Sequence, residues 1–195
     1  DEVGELVVRE PMPSMPLHFW GDRDFERYRE AYFDVYPGWW RHGDFLHINT
    51  RGGCTIQGRS DSTLNRHGIR IGTAEIYRVL DDMDELADSI IVNLASPGGD
   101  FMPLFVTLPE GETLDDELRR HIAASLRSRY SPRHVPDRII QAEGIPYTLT
   151  GKRMEVPLRK ILMGAAPEEV ASPDAMQNPQ SLDFFVRYRD SLGEP

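Results

Sequence analysis

Three short segments of this 195-residue chain carry side chains that could do chemistry. The first is Trp39-Trp40-Arg41-His42-Gly43-Asp44. A carboxylate just after a glycine can accept both hydrogens of a ribose diol, because an ionised carboxyl group is an acceptor only. A turn aspartate that bonds its own backbone fits the same residues, and on the residues alone it is the commoner case. The second segment runs from Gly58-Arg59-Ser60-Asp61 through Leu64-Asn65-Arg66-His67-Gly68-Ile69-Arg70 to Gly72, just ahead of a helix start. Glycine lets a ligand approach the backbone, arginine offers a planar fork for phosphate, and a helix N-terminus favours anions. Four cationic or imidazole side chains in the twelve residues from Arg59 to Arg70 fit an anion site and fit a solvated hairpin equally well. The third segment is Ile145-Pro146-Tyr147-Thr148-Leu149-Thr150-Gly151-Lys152. A lysine behind a Thr-x-Thr-Gly turn stands on an exposed loop, where its compact charge could meet a phosphate or carboxylate oxyanion. Taken singly, a loop lysine is more often just solvated. The segment is not a nucleotide P-loop, since the upstream glycine of that motif is absent.

Composition narrows the partners. Lys and Arg number 22 against 32 Asp and Glu, a net charge of −10, which disfavours a nucleic-acid backbone or an anionic membrane surface. Cys54 is the only cysteine, so neither a disulfide framework nor a cysteine-rich zinc site is possible within the chain. No run approaches the roughly 20 apolar residues of a bilayer-spanning helix. The first five residues have neither the charge nor the apolar run of a signal peptide. A cytoplasmic protein is expected. With no initiator methionine, the chain is expected to start at a cut edge.

The elements that must position these segments follow from periodicity. Leu6-Val7-Val8 reads as a strand, followed by a proline-rich bend at residues 11–16. Residues 19–40 hold all three tryptophans and should pack against something. Gly52-Gly53 predicts a hairpin turn into a strand at Cys54-Thr55-Ile56. Thr73 is a candidate N-cap for a helix whose Ile76, Val79, Leu80 and Met83 fall on one face. Strands are expected at 89–92, 104–108 and 138–140, with a turn at Pro97-Gly98-Gly99. Thr113 and Asp116 suggest a capping box for a helix burying Leu114, Leu118, Ile122 and Leu126. A short helix should run from Val156 to Leu162, and Asn178-Pro179 should start an aromatic tail helix. The fold class is therefore α+β, with helices packed on a sheet of a few strands.

Taken together, the three segments, in this order, resemble the late motifs of the adenylate-forming superfamily of acyl-CoA synthetases, peptide-synthetase adenylation domains and luciferases. Gly4-Glu5-Leu6 is similar to that family's preceding Gly-Glu-Leu segment, and Gly43-Asp44 to its ribose-binding pair. Gly58-Arg59-x-Asp61, Gly68-x-Arg70 and Glu75-Ile76 resemble the hinge motif. Pro146-x-Thr148-x-Thr150-Gly151-Lys152 resembles the terminal catalytic-lysine motif, with Tyr147 where a lysine is expected and Thr150 where serine is usual. Within the superfamily, Trp40-Arg41-His42-Gly43-Asp44, Leu64-Asn65-Arg66, Arg70 to Tyr77, Leu126 to Pro136 and Asn178-Pro179-x-x-Leu182-Asp183 look like acetoacetyl-CoA synthetases. Acetyl-CoA synthetases are the nearest alternative.

The resemblance implies a small C-terminal lid domain at 62–165, the end of a larger adenylation domain at 1–60, and an acidic tail with a docking helix at 166–195. It implies an ATP-dependent acid–CoA ligase that forms acetoacetyl-AMP and then acetoacetyl-CoA, with MgATP and coenzyme A as substrates. Lys152 would be catalytic, Asp44 would hold the ribose, and Arg59 and Arg70 would meet ATP phosphates. Asp61 would be the hinge, His67 and Gly68 would pass the pantetheine arm, and Arg127 would meet coenzyme A phosphates. No residue is assigned to a metal. The implied partners are an upstream adenylation domain, without which the chain should be inactive, and a lysine acetyltransferase or deacetylase acting on Lys152. An acetyl- or propionyl-CoA synthetase, an adenylation domain serving a carrier protein, and a non-catalytic lid-type interaction domain stay open.

Overall fold

The computed structural model describes residues 2–66, 69–96 and 99–192, apart from the side chains at 65, 69, 70 and 96. Two compact units can be told apart, Asp1–Asp61 and Ser62–Pro195.

In the first unit, strands β1 (Glu2–Val8), β2 (Trp40–Ile48) and β3 (Cys54–Arg59) form an antiparallel sheet in that order, with helix α1 (Glu26–Tyr32) in the β1–β2 connection. The β2–β3 turn closes as the glycine pair predicts. Gly52 adopts φ +78, and the Asn49 side chain accepts the Arg51 and Gly53 N–H groups. The aromatic residues of 19–40 pack largely on one another: Phe19 meets Tyr28 and Tyr32, and Tyr32 stacks on Trp40 at 4.7 Å. Trp20 stays 95% exposed.

In the second unit, β6 (Asp88–Ile91), β9 (Pro103–Thr107) and β10 (Arg138–Gln141) form a mixed sheet with β9 in the middle. β6 runs antiparallel to β9, and β10 runs parallel to it after the helix α3 (Asp116–Arg129). Alternation along the strands divides the core. Leu104, Val106 and Ile91 join Ile76, Leu80, Ile122 and Leu126, from α2 (Thr73–Leu80) and α3, on one face. Phe105 and Ile90 join Leu158 and Phe185, from α4 (Glu155–Leu162) and α6 (Ser181–Ser191), on the other. Both faces of the sheet are thus covered, as burial of a parallel strand pair requires. Smaller elements complete the unit: hairpins β4 (Leu64–Arg66) with β5 (Ile69–Ile71) and β7 (Leu94–Ser96) with β8 (Gly99–Phe101), and a one-turn helix α5 (Pro167–Val170). Residues 97 and 98 of the expected turn lie outside the described residues.

Three expected helix starts are corrected. Gly72, in extended conformation, precedes α2, and the buried Thr73 is already inside it. Asp115, not Thr113, caps α3 by accepting the Leu118 N–H at 2.8 Å. α6 begins at Ser181 after Gln180, because the Asn178 side chain is bonded elsewhere.

Candidate functional site

Pairing of β2 with β3 sets Asp44 directly across from Arg59. Gly43 adopts φ +87 and lies under the Arg59 guanidinium, so that a Cβ there would come 2.8 Å from Nη2. All three Arg59 nitrogens donate within this unit. Nε and Nη2 grip Asp61 at 3.1 and 2.7 Å, and Nη1 reaches the His42 carbonyl at 3.4 Å. Arg59 Nη1 also stands 3.7 Å from Asp44 Oδ1, while His42 Nδ1 is 2.6 Å from Asp44 Oδ2. The bond to Asp61 raises the Arg59 pKa despite burial. Burial pushes Asp61 upward, but its bond and attraction to Arg59 outweigh this and hold it below the usual carboxylate value. Behind this pair, Arg41 donates to Ser60 Oγ at 2.9 Å, and Ser60 Oγ donates to Glu5 at 2.9 Å, so the Gly4-Glu5-Leu6 strand supports the same corner.

A cleft of about 520 Å³ opens here, lined by Tyr32, Arg41, His42, Gly43, Arg59 and Asp61 among others. Asp44 is 9% exposed, with one oxygen near His42 and the other near Arg59. A carboxylate has about four acceptor positions, so Asp44 keeps capacity for a diol. A second cleft, of about 550 Å³, lies in the other unit between acidic residues including Asp84, Glu85, Glu112 and Asp115. Its charge makes it unsuited to a phosphate ligand.

In the second unit, Lys152 ends a closed loop. The Thr148 N–H donates to the Lys152 carbonyl at 2.9 Å, and the Lys152 N–H donates to Thr148 Oγ1 at 3.1 Å. Gly151 takes φ +75 at the turn. Among the described residues the exposed Lys152 ammonium has no ion pair or hydrogen bond, so the loop presents it outward. Tyr147 and Arg153 face each other as a β-bridge at the loop's base, and both bond Asp88 Oδ1 at 3.0 Å. The Arg153 guanidinium also sits 4.2 Å from the Tyr77 ring centroid. Burial, with Asp88 adding to it, pushes the Tyr147 pKa up to about 12. The residue that departs from the expected lysine is therefore a structural anchor.

The structure brings Asp44, Arg59 and Asp61 together, while Lys152 and Arg127 lie in the second unit, Arg127 exposed near the end of α3. His67, Gly68 and the Arg70 side chain fall outside the described residues; the Arg70 backbone pairs with Asn65. Arg66, counted above among the cations of an anion site, is instead held in a two-pronged pair by Asp137. Sequence reasoning missed His42, although it adjoins Gly43. It also missed the tertiary roles of Asp88 and Asn178, since Tyr147, which both bond, lies 59 residues from the one and 31 from the other and leaves no local signal.

No family model matches the chain. It is 46% identical over 192 residues, 97% of its length, to acetoacetyl-CoA synthetase of Caenorhabditis elegans, and covers 27% of that protein. It is 44% identical over 95% of its length to acetoacetyl-coenzyme A synthetase of Rhizobium meliloti (strain 1021), covering 28% of it. The structure of acetoacetyl-CoA synthetase from Streptomyces lividans superposes with a TM-score of 0.90 at 46% identity, over 99% of this chain and 29% of that one. The chain thus spans between a quarter and a third of the length of these relatives. Across nearly all of its residues it is homologous to the C-terminal part of the acetoacetyl-CoA synthetases.

Proposed function

We propose that the chain is the C-terminal part of an ATP-dependent acid–CoA ligase that acts on acetoacetate. The observation that carries this reading is the closed Thr148–Lys152 loop with its outward ammonium, in a chain 46% identical to an acetoacetyl-CoA synthetase. The acid carboxylate attacks the α-phosphate of ATP; a P–O bond to the acid forms, and pyrophosphate leaves. The coenzyme A thiol, losing its proton, then attacks the acyl carbon, and AMP leaves. Lys152 bridges carboxylate and α-phosphate in the first step, where a positioned cation meets charge that builds up only in the transition state. Asp44 accepts the ribose hydroxyls beside Arg59, whose charge faces the phosphates together with that of Arg70. His67, Gly68 and Arg127 serve the coenzyme A step. Asp61 is the hinge, a role supported by its place at the boundary of the two units. Mg²⁺ arrives with the nucleotide; among the described residues no group of three or more His, Cys, Asp or Glu could hold a metal, and none is assigned to it.

No helix among the described residues is long and apolar enough to cross a membrane, and we place the ligase in the cytoplasm. An upstream adenylation domain supplies the acid pocket and phosphate loop. The exposure of Lys152 suits it to a lysine acetyltransferase, whose product would lack the charge that adenylation needs.

The test is Lys152→Ala in the full-length ligase. Acid-dependent pyrophosphate exchange should fall ~10²–10³-fold, as for loss of one transition-state donor. Conversion of supplied acetoacetyl-AMP and coenzyme A to thioester should persist. Full exchange activity would remove Lys152 from the chemistry, and faster exchange with acetate or propionate than with acetoacetate would overturn the choice of acid.

A further inference from the structure

The segment after α5 does not trail away from the Lys152 loop. The Leu149 N–H donates to the Ala175 carbonyl at 2.9 Å, and the Gln177 N–H donates to the Tyr147 carbonyl at 3.0 Å. Thr148 and Met176 face each other as a β-bridge. Side chains complete the pairing. Gln177 Nε2 donates to the Leu149 carbonyl at 3.3 Å, Asn178 Oδ1 accepts the Tyr147 N–H at 3.1 Å, and Asn178 Nδ2 donates to the Ile145 carbonyl at 2.6 Å.

This pairing is anchored from behind. Met176 is 5% exposed among Met154, Ile161 and Leu182, and three residues past Asn178 begins α6, whose Phe185 is fully buried. The loop itself has few such anchors. Leu149 is 62% exposed, and the bonds inside the loop are made by Thr148, Thr150, Gly151 and Lys152 with one another. Local hydrogen bonds in an exposed turn open readily unless neighbouring structure holds them.

We propose that Ala175–Asn178 is a strap that sets the conformation of the Lys152 loop, with Gln177 and Asn178 as positioning residues. The tail is then part of the adenylation apparatus, which rests on the function proposed above. A preorganised ammonium must be held to within a fraction of an ångström to act on a transition state. The strap bonds both the incoming backbone at Ile145–Tyr147 and the loop itself at Leu149. The thioester step, which does not use Lys152, should not need it.

Hydrogen exchange on this chain tests the strap independently of function. Gln177→Ala removes only the side-chain bond to Leu149. Asn178→Asp keeps the acceptor for Tyr147 N–H and loses the donor to Ile145. Each should speed exchange of the Leu149, Gly151 and Lys152 amides about tenfold or more, with the β6–β9 amides unchanged as a control for folding. The same substitutions in the full-length ligase should lower pyrophosphate exchange severalfold and spare thioester formation from supplied acyl-AMP. Unchanged loop amides in both variants, or equal loss of both half-reactions, would overturn the strap. Failure of the functional reading shows separately, as full exchange activity in Lys152→Ala.

Discussion

Arg59 stands across the β2–β3 ladder from Asp44 and closes on Asp61, two residues further on, through bonds of 3.1 and 2.7 Å. One guanidinium thus ties a nearly buried carboxylate on a strand to a carboxylate at the edge of its unit. The pairing depends on Gly43, over which the arginine lies, and on the β2–β3 register shift between Phe45 and Leu46.

Gly43→Ala should destabilise this corner. An L-residue at φ +87 costs about 1–2 kcal/mol, and the new Cβ would also displace Nη2, 2.8 Å away. The measurements are chemical denaturation of the chain and nucleotide affinity of the full-length protein. A loss of stability under ~0.5 kcal/mol together with unchanged affinity would show that Arg59 adapts freely.

Asp61→Asn should flatten the acid limb of stability. The folded-state pKa of Asp61 lies below the ordinary value of 3.8, so its contribution is complete above that value and is lost as pH falls through the lower folded one. Melting temperature recorded between about pH 5 and 2 should therefore fall less steeply for the variant than for the parent chain. Identical slopes would mean that the Arg59–Asp61 bond is not maintained in solution.

Tyr147→Phe deletes the hydroxyl that donates to Asp88. The expected cost is about 1 kcal/mol, with faster exchange of the Lys152 amide. Tyr147 should ionise at about 12; its raised value adds stability present below the ordinary 10 and lost as pH climbs through 12. An ultraviolet pH titration should lose one late-titrating tyrosine in the variant. Loss of a group titrating near 10 instead would show that Tyr147 is not held by burial and Asp88.

Phe185→Ala should be among the costliest single changes in the second unit. Phe185 is fully buried, with its ring 5.0 Å from that of Phe105 on the central strand. Phe-to-Ala changes in cores typically cost ~3–5 kcal/mol. A loss below ~1 kcal/mol in urea unfolding would mean that α6 is detached in solution.

Much of the layout is legible residue by residue. The spacing of Ile76, Val79 and Leu80 marks α2 because neighbours three and four apart share a helix face. Leu104 and Val106 oppose Phe105 because side chains alternate along a strand. The caps were less legible. Asn178 has the residue type of an N-cap, but its amide gains two backbone partners across the loop and leaves α6 to start later.

By itself the sequence determined the helices α2, α3 and α4, the strands β6, β9 and β10, the turn at Gly52-Gly53 and the order of the three chemical segments. These depend on energies between residues a few positions apart, or on one residue's own backbone preferences. Only the tertiary structure decided that Arg59 closes on Asp61 beside Asp44, that Arg66 goes to Asp137, and that Tyr147 and Arg153 meet at Asp88. It alone placed Gln177 and Asn178 against the Lys152 loop. Arg66 and Asp137 are 71 positions apart, and Asp88 is 59 from Tyr147. Such pairs form where strand register and the packing of layers bring them, since a hydrogen bond senses distance in space and not along the chain.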